Sequence, residues 1–396
     1  MRWRADGGDA AAFADEELLA VYPLACTLAL GLVVLTFLPL WRHPAWWVRI
    51  WEFPRLQLVG LMAIALAIRM ESGVSYGRPD LLLGAGLAAA LAVQAAAIAP
   101  FTRLWRRQVL RSRRPRSERS LSLVAVNVLM DNREVGRLKK SLARTRPDIV
   151  LAVETDAWWA RQLQDMLGRT HPHALSCPLA NTYGMVLRSR LPFVDQSLSF
   201  LLKEKIPSMR VGVRLDSGVI VDFWGVHPEP PSPTEAATSL PRDAELILVA
   251  RAIEARRRQG GGRPVIVLGD LNDVAWSRTT RAFLRLSQLV DPRVGRGFYN
   301  SFHAQLWPLR WPLDHVFHSP DFLLRRLRRL PAFGSDHFPI LVELEHAPRA
   351  ASYQAPDPPR SEDRVMAAET IAAAREEVAA SAQRPAAPGG SGALDV

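Results

Sequence analysis

The sequence predicts a mixed α/β (α+β) domain preceded by N-terminal transmembrane helices, and three observations carry that prediction. Residues 18–40, 56–68 and 81–100 are apolar and free of charged side chains. Residues 120–345 alternate apolar runs of strand length with polar stretches of helical period. Several of those strand-like runs carry a carboxylate, an amide or an imidazole at one end. A side chain placed just past the last ladder bond points into a crevice, which is where open-sheet enzymes put their ligands.

The chain has 396 residues, enough for more than one domain. Its net charge of +11 is unevenly spread, so it is not a global nucleic-acid signal. Cys26 lies in an apolar run and Cys177 in the second part, so no disulfide framework exists. The composition divides the chain into a tail (1–17), a membrane region with three spans (18–101), a basic linker (102–119), a folded domain (120–346) and a flexible, disordered tail (347–396).

Residues 18–40 suffice to cross a hydrocarbon core of about 30 Å. A signal peptide is the competing reading, with Arg2 and Arg4 as its basic start, but Asp15, Glu16 and Glu17 directly precede the run. Trp46, Trp47 and Trp51, with Arg42, Arg49 and Arg55, suit the headgroup level. Residues 56–68 are short for a span unless 51–54 enter with them, and 81–100 have the right length. Arg103, Arg106, Arg107, Arg111, Arg113, Arg114, Arg116 and Arg119 then form a basic collar. Such residues attract anionic lipid at about 1 kcal/mol each, and the same collar also reads as a topogenic signal alone. The positive-inside rule places the second part in the cytoplasm.

In the second part, residues 133–146 carry Val135, Leu138 and Leu142 at helical spacing, and Pro147 stops them. Residues 156–167 read as a surface helix. Strands are expected at 183–187, 209–215 and 219–226, the last two joined by a turn at Asp216-Ser217-Gly218. A proline-rich loop follows His227, then a long helix over 241–258 that closes at a glycine run, and a shorter one over 278–286. Strands at 314–317, 324–329 and 340–345 complete the pattern. Residues 365–383 have helical character, but alanine supplies most of the apolar face, so a flexible tail is expected there.

The strand ends hold the chemistry. Val265-Ile266-Val267-Leu268-Gly269-Asp270-Leu271-Asn272 is a β-branched run that stops at glycine and presents Asp270 and Asn272. Two apart in extended chain, they point the same way: a proton acceptor beside an amide donor, suited to orienting water and stabilising a charged oxygen. The run 148–153 ends at Glu154, 219–226 ends at His227, and 121–126 leads into Asn127. Asp314-His315 opens one strand, and Ser335-Asp336-His337-Phe338-Pro339 precedes another. Taken alone, Glu154 also reads as an exposed residue before a helix capped by Thr155 or Asp156. No Walker loop, HExxH or CxxC occurs as a rival.

This ordered series, Asn127, Glu154, Ser189-Arg190, His227, Gly269-Asp270-Leu271-Asn272, Asp314-His315-Val316-Phe317 and Ser335-Asp336-His337, resembles the endonuclease/exonuclease/phosphatase superfamily over residues 120–345. The hydrophobic N-terminal part is similar to that of a membrane-anchored subgroup, which would put the second part on the extracytoplasmic face, against the charge rule. The resemblance implies a two-layer β-sandwich flanked by helices. It implies a metal site, Mg²⁺ with Mn²⁺ as alternative, at Glu154 helped by Asn127, with Asp336 on the same side. Asp314 and His337 form a dyad, the carboxylate favouring the charged imidazole. Asp270 orients the attacking water, Asn272 donates to a phosphate oxygen and His227 contacts the phosphate. Leu129 stands where nuclease members often carry an acid, and Ser301-Phe302-His303-Ala304 departs from a frequent Thr-Trp-Pro, leaving His303 as pocket lining.

The expected activity is Mg²⁺-dependent in-line hydrolysis of a phosphate ester or pyrophosphate, by a multi-pass protein of the cell membrane. The partners are membrane lipids and a phosphorylated substrate, a lipid pyrophosphate such as a polyprenyl carrier first. No protein partner is predicted. The alternatives are an anchored endonuclease or exonuclease acting on nucleic acid, and a scaffold without activity. A nuclease needs a basic groove, and the clusters Arg256-Arg257-Arg258 and Arg325, Arg326, Arg328, Arg329 read equally well as solvated faces.

Overall fold

A computed structural model of the protein describes residues 23–71, 77–232, 235–259 and 262–383. The chain divides into two compact units, Met1–Arg106 with Val294–Phe298, and Arg107–Arg293 with Tyr299–Val396.

In the first unit, helix α1 (Pro23–Trp41) runs 19 residues at a mean hydropathy of 2.2. A short helical segment, Trp46–Glu52, meets α2 (Arg55–Glu71) at a bend of 73°. Helix α3 (Arg78–Ile98) lies within an apolar stretch, Asp80–Phe101, of 22 residues and mean hydropathy 2.1. By length and composition two helices can cross a membrane, or three if the bent pair is one span. The residues of the expected second span form this bent pair, which has the shape of a broken span or of a re-entrant loop. The 1–17 tail and the start of the first apolar run lie outside the described residues.

Several buried polar groups of this unit are tied to one another. Arg55 Nη1 donates to Gln94 Oε1 at 2.6 Å, and Gln94 Nε2 donates to Thr36 Oγ1 at 3.1 Å. Arg49, expected at the headgroup level, is buried and paired with Glu52 at 3.2 Å. Around them Ala29, Leu58, Met62, Leu87 and Ala90 make a core of small and flexible side chains.

The second unit holds two sheets with helices outside each. In chain order its elements begin β1 (Ser120–Asn127), α4 (Val135–Thr145), β2 (Ile149–Val153) and α5 (Ala157–Leu167). They continue with β3 (His173–Cys177), β4 (Met185–Ser189), β5 (Phe193–Ser199), β6 (Ser208–Arg214), β7 (Ile220–Gly225) and α6 (Leu240–Arg258). The last are β8 (Val265–Asp270), α7 (Arg278–Ser287), β9 (Asp314–His318), β10 (Phe322–Arg329), β11 (Ile340–His346) and α8 (Ser361–Ala382). One sheet has the order β10-β11-β1-β2-β4-β3 and the other β5-β6-β7-β8-β9.

The period-2 pattern sorts each strand between two cores. Leu121, Leu123 and Ala125 of β1 join Val221, Phe223, Ile266 and Leu268 in the core shared by the sheets. Val124 and Val126 face the other way, onto Leu138, Leu142, Trp159 and Leu163 of α4 and α5. Trp224 and Val267 pack under α6, with Phe283 of α7 and Ile371 of α8 in the same cluster. Asp156 caps α5 by accepting from Trp159 N at 2.7 Å, and Ser277 caps α7 by accepting from Thr280 N at 2.9 Å.

Each sheet has one parallel pair, β1 with β2 and β7 with β8. Parallel strands end on the same side, so Asn127 and Glu154 emerge together, and so do His227 and Asp270. Strand β9 runs antiparallel to β8 with Asp270 opposite Asp314. Strand β11 runs antiparallel to β1 with Ala125 opposite Ile340. The starts of β9 and β11 therefore lie beside the ends of β8 and β1.

Two expectations need correction. The tail beyond His346 forms a helix over Ser361–Ala382, because the small Ala367 and Ala374 let it lie close to α6 while Ile371 packs into the same apolar cluster. Arg285 of α7 fixes its start through Asp363, at 2.6 Å and 2.8 Å. The 102–119 stretch is not a free linker throughout. Ser112 N donates to Leu324 O at 2.9 Å, Leu324 N donates to Leu110 O at 2.9 Å, and Val109 is fully buried.

Candidate active site

Four strand ends and two strand starts bring the polar side chains together. Asn127, fully buried at the end of β1, donates from Nδ2 to Glu154 Oε1 at 2.6 Å and to Asp270 Oδ2 at 3.0 Å. Its Oδ1 accepts from Leu129 N at 2.9 Å, which fixes the carboxamide's orientation. One amide thus ties the two sheets' carboxylates to each other.

Asp270, 1 % exposed, accepts from Asn272 N at 2.9 Å through Oδ1. Gly269 just before it has φ +144, and a Cβ there would lie 2.0 Å from Val226 O, so only glycine lets β8 pass the end of β7. His227 Nδ1 lies 3.1 Å from Asp270 O, and its Nε2 lies 3.9 Å from Glu154 Oε1. His337 Nδ1 is 2.7 Å from Asp314 Oδ2, and its Nε2 is 3.4 Å from Asp270 Oδ2. The imidazole therefore sits between two carboxylates. Leu129, Glu154 and Asn272 all have positive φ, at 56°, 58° and 49°. Non-glycine residues held there carry strain that the surrounding structure maintains, and such residues gather at functional sites.

The electrostatics divide the acids. Burial alone lowers the pKa of His337, but the charges of Asp314 and Asp270 and the Asp314 hydrogen bond outweigh it and push it up to about 10. The ring is an imidazolium at neutral pH. Burial likewise works to raise Asp270, yet His337, His227 and the hydrogen bonds from Asn272 and Asn127 hold it below the usual carboxylate range. Burial raises Asp314 and the neighbouring Asp270 charge adds to the shift. Glu154 is also raised, by burial first and in part by Asp270, with His227 and Asn127 opposing.

These observations bear on where a cation fits. Asp270, Asp314 and His337 each offer a ligand atom within 4.8 Å of the others. A charged imidazole has no lone pair to give, and Nδ1 already serves Asp314, so that trio is poor in donors. Glu154 is different: a hard oxygen donor, its side chain 18 % exposed, whose charged form lacks full compensation from its neighbours. A hard divalent cation fits that donor chemistry.

Of the residues singled out in the sequence, the structure brings Asn127, Glu154, His227, Asp270, Asp314 and His337 into one site. Asn272 is adjacent, with Nδ2 donating to Pro228 O at 2.9 Å. Among the described residues no hydrogen bond or ion pair joins the half-buried Asp336 carboxylate to Glu154 or Asn127. Its neighbour Ser335 makes the link to β1, donating to Asn127 O at 2.9 Å. His315 points away from the site, with Nε2 2.8 Å from Asp273 O and Nδ1 2.6 Å from Arg293 Nη2. His303 organises its own loop, accepting from Gln305 N at 3.2 Å.

Sequence reasoning missed the supports. Arg242, 1 % exposed in the first turn of α6, donates to Asn272 O at 2.9 Å and lies 3.4 Å from Asp273 Oδ1. An arginine in a first turn opposes the helix dipole, and that misplacement is the signal that would have found it. Ser301 Oγ accepts from Asp314 N at 2.9 Å and Leu313 N at 3.2 Å, holding the start of β9.

A sequence profile of the Endonuclease/Exonuclease/phosphatase family matches residues 124–337, more than half of the chain. No curated protein matches the sequence. Similar solved structures include an endonuclease/exonuclease/phosphatase from Beutenbergia cavernae DSM 12333, at 18 % identity and a TM-score of 0.47, covering 58 % of this chain and 72 % of that one. The human Nocturnin catalytic domain with bound sulfate is 15 % identical at a TM-score of 0.48, covering 59 % and 97 %. The mannosyl-6-phosphatase of Bacteroides thetaiotaomicron VPI-5482 is 19 % identical at a TM-score of 0.44, covering 57 % and 99 %.

Proposed function

This chain belongs to the endonuclease/exonuclease/phosphatase family of phosphoester hydrolases, and we propose that it is a membrane-anchored, divalent-cation-dependent enzyme cleaving a phosphate ester or pyrophosphate on a lipid carrier. The observation that carries the proposal is the His337 imidazole set between Asp314 at 2.7 Å and Asp270 at 3.4 Å, with Glu154 and Asp270 bonded to the same Asn127 amide.

In this reading Asp270 orients the attacking water and draws on its proton, since its carboxylate is ionised at neutral pH. His337 presents a proton from Nε2 to a phosphoryl oxygen, so negative charge arriving there meets a fixed positive one. Asp314 keeps that ring charged and oriented. His227 contacts the phosphate from the Glu154 side, and Asn272, whose Nδ2 holds the loop that carries His227, would donate to a phosphate oxygen. Glu154, Asn127 and Asp336 would hold the cation, Mg²⁺ or Mn²⁺. When bound, it would supply positive charge to the oxygens on which charge develops. The apolar helices confine the site to a bilayer, which raises its effective concentration toward lipid-borne phosphates.

The test is hydrolysis by the detergent-purified full chain, offered polyprenyl pyrophosphate, a phospholipid and plasmid DNA in parallel, with and without Mg²⁺. Cation-dependent release of phosphate from the polyprenyl lipid is the expected result. Cation-dependent nicking of the DNA with the lipids intact would replace this reading by an anchored nuclease.

A further inference from the structure

The loop 303–311 has an unusual composition for its position. Leu306, Trp307 and Leu309 at its tip are 49 %, 75 % and 46 % exposed. Scattered apolar side chains on a surface need no explanation, but three within four residues at the tip of one loop form a patch. The loop is built rather than slack. His303 N donates to Leu309 O at 3.0 Å, Leu309 N to Leu306 O at 3.0 Å, and Phe302 N to Trp311 O at 3.0 Å across its base. Arg310 Nη2 donates to Ala304 O at 2.9 Å.

The same loop is wired to the catalytic segment. Ala304 N donates to Asp336 O at 2.6 Å, and Gln305 Nε2 donates to Ser335 O at 2.9 Å. The Phe302 ring lies 4.9 Å from the His337 ring. Phe338, directly after His337, has Arg310 at 5.1 Å and Arg329 at 4.2 Å from its ring centroid. An apolar tip therefore rises from a base whose two guanidinium groups lie over Phe338, the residue after the imidazole that faces Asp270.

We propose that the tip 306–309 enters the surface of a lipid bilayer while Arg310 and Arg329 meet anionic headgroups, so that the mouth of the site opens onto membrane-borne substrate. Tryptophan and leucine over arginine is the composition of the membrane interface, where an aromatic body is half wet and a guanidinium finds phosphate. The charge complements an anionic surface, and the same chain carries two helices apolar enough to cross a membrane. The inference rests on reading the site as a hydrolase of lipid-borne phosphates and names how such a substrate reaches it.

The experiment places an environment-sensitive fluorophore at Trp307→Cys, in full-length protein carrying Cys26→Ser and Cys177→Ser. The protein is reconstituted with phosphatidylcholine and phosphatidylglycerol, with and without a spin-labelled quencher lipid. Lys139→Cys, exposed on α4, is the reference. The expected result is blue-shifted emission at position 307, quenched several-fold more than at 139, and weakened by Arg310→Gln with Arg329→Gln. Quenching at 307 no greater than at 139 overturns the proposal, and so does a blue shift without lipid quenching that grows with protein density, the mark of a second copy on the loop. The readout does not need turnover, so the two readings fail separately. Quenching in a protein that hydrolyses no phosphoester sinks the hydrolase reading and leaves the contact. Hydrolysis without quenching does the reverse.

Discussion

The two sheets contribute half-sites of the same construction and opposite character. In each, a parallel pair ends side by side and presents two polar side chains: Asn127 and Glu154 from β1 and β2, His227 and Asp270 from β7 and β8. In each, a non-glycine residue at the turn is held at positive φ, Glu154 in one and Asn272 in the other. The five-stranded half is closed: Asp270 is 1 % exposed, bonded by Asn272 and Asn127, and backed by the buried Arg242. The six-stranded half is open, with Glu154 partly exposed and raised by burial without full compensation. Charge is thus preset in one half and wanting in the other. In the proposed reading a cation would supply what the second half lacks, with water activation and cation binding on different sheets.

The largest effect is expected where the halves meet. Asp270→Ala and His337→Ala each lower kcat by about 10²–10⁴-fold, read from initial rates of phosphate release with circular dichroism as the check on folding. If either variant keeps near-wild-type turnover, the Asp270–His337 pair does not perform the chemistry. Asn127→Ala tests the open half: the Mg²⁺ concentration for half-maximal rate should rise about 10–100-fold, as when a neighbour that fixes a metal ligand is removed. An unchanged Mg²⁺ dependence would detach Glu154 from cation binding.

Stability separates the halves as well. Arg242→Met leaves Asp243 and Asp273 without their guanidinium in a buried site, a loss of about 3–5 kcal/mol by denaturant titration. A change below about 1 kcal/mol, the range of an exposed pair, would show that the loop after Asp270 does not depend on it.

Glu245 of α6 gives the smallest and most specific signal. Full burial pushes it up to about 8, with Ser208 Oγ bonding it at 2.9 Å. Because the folded value lies above the unfolded one, the native state keeps a proton that the unfolded chain releases. This contribution is full at pH below the ordinary carboxyl value and is lost as pH rises through about 8. Glu245→Gln should therefore flatten the fall in melting temperature between weakly acidic and weakly alkaline pH. An unaltered slope would place the linkage elsewhere.

Much of this was legible because the side chains that define the site terminate apolar runs, and a run's end is visible in sequence. The β8 run, buried on both faces, reads as a continuous apolar segment, and the β7 run as an apolar one interrupted only by Asp222, and so Asp270 and His227 stand out. Strands β3 and β5 did not. His173–Cys177 and Phe193–Ser199 are the outer strands of their sheets, half exposed and without a clean alternation. Arg242 and Ser301 escaped for another reason: each acts by holding backbone distant in sequence, and only the misplaced charge of Arg242 in a first turn marks either of them locally. Helix α8 was hidden by its alanines, whose weak apolar signal suffices only because α6 lies against them.

The most direct measurement is phosphate release from a lipid-borne phosphoester as Mg²⁺ is titrated into the full-length wild type, Asp270→Ala and His337→Ala. The account predicts release that rises with Mg²⁺ in the wild type and is lost in both variants. Release that survives in both, or that ignores the cation, would contradict it.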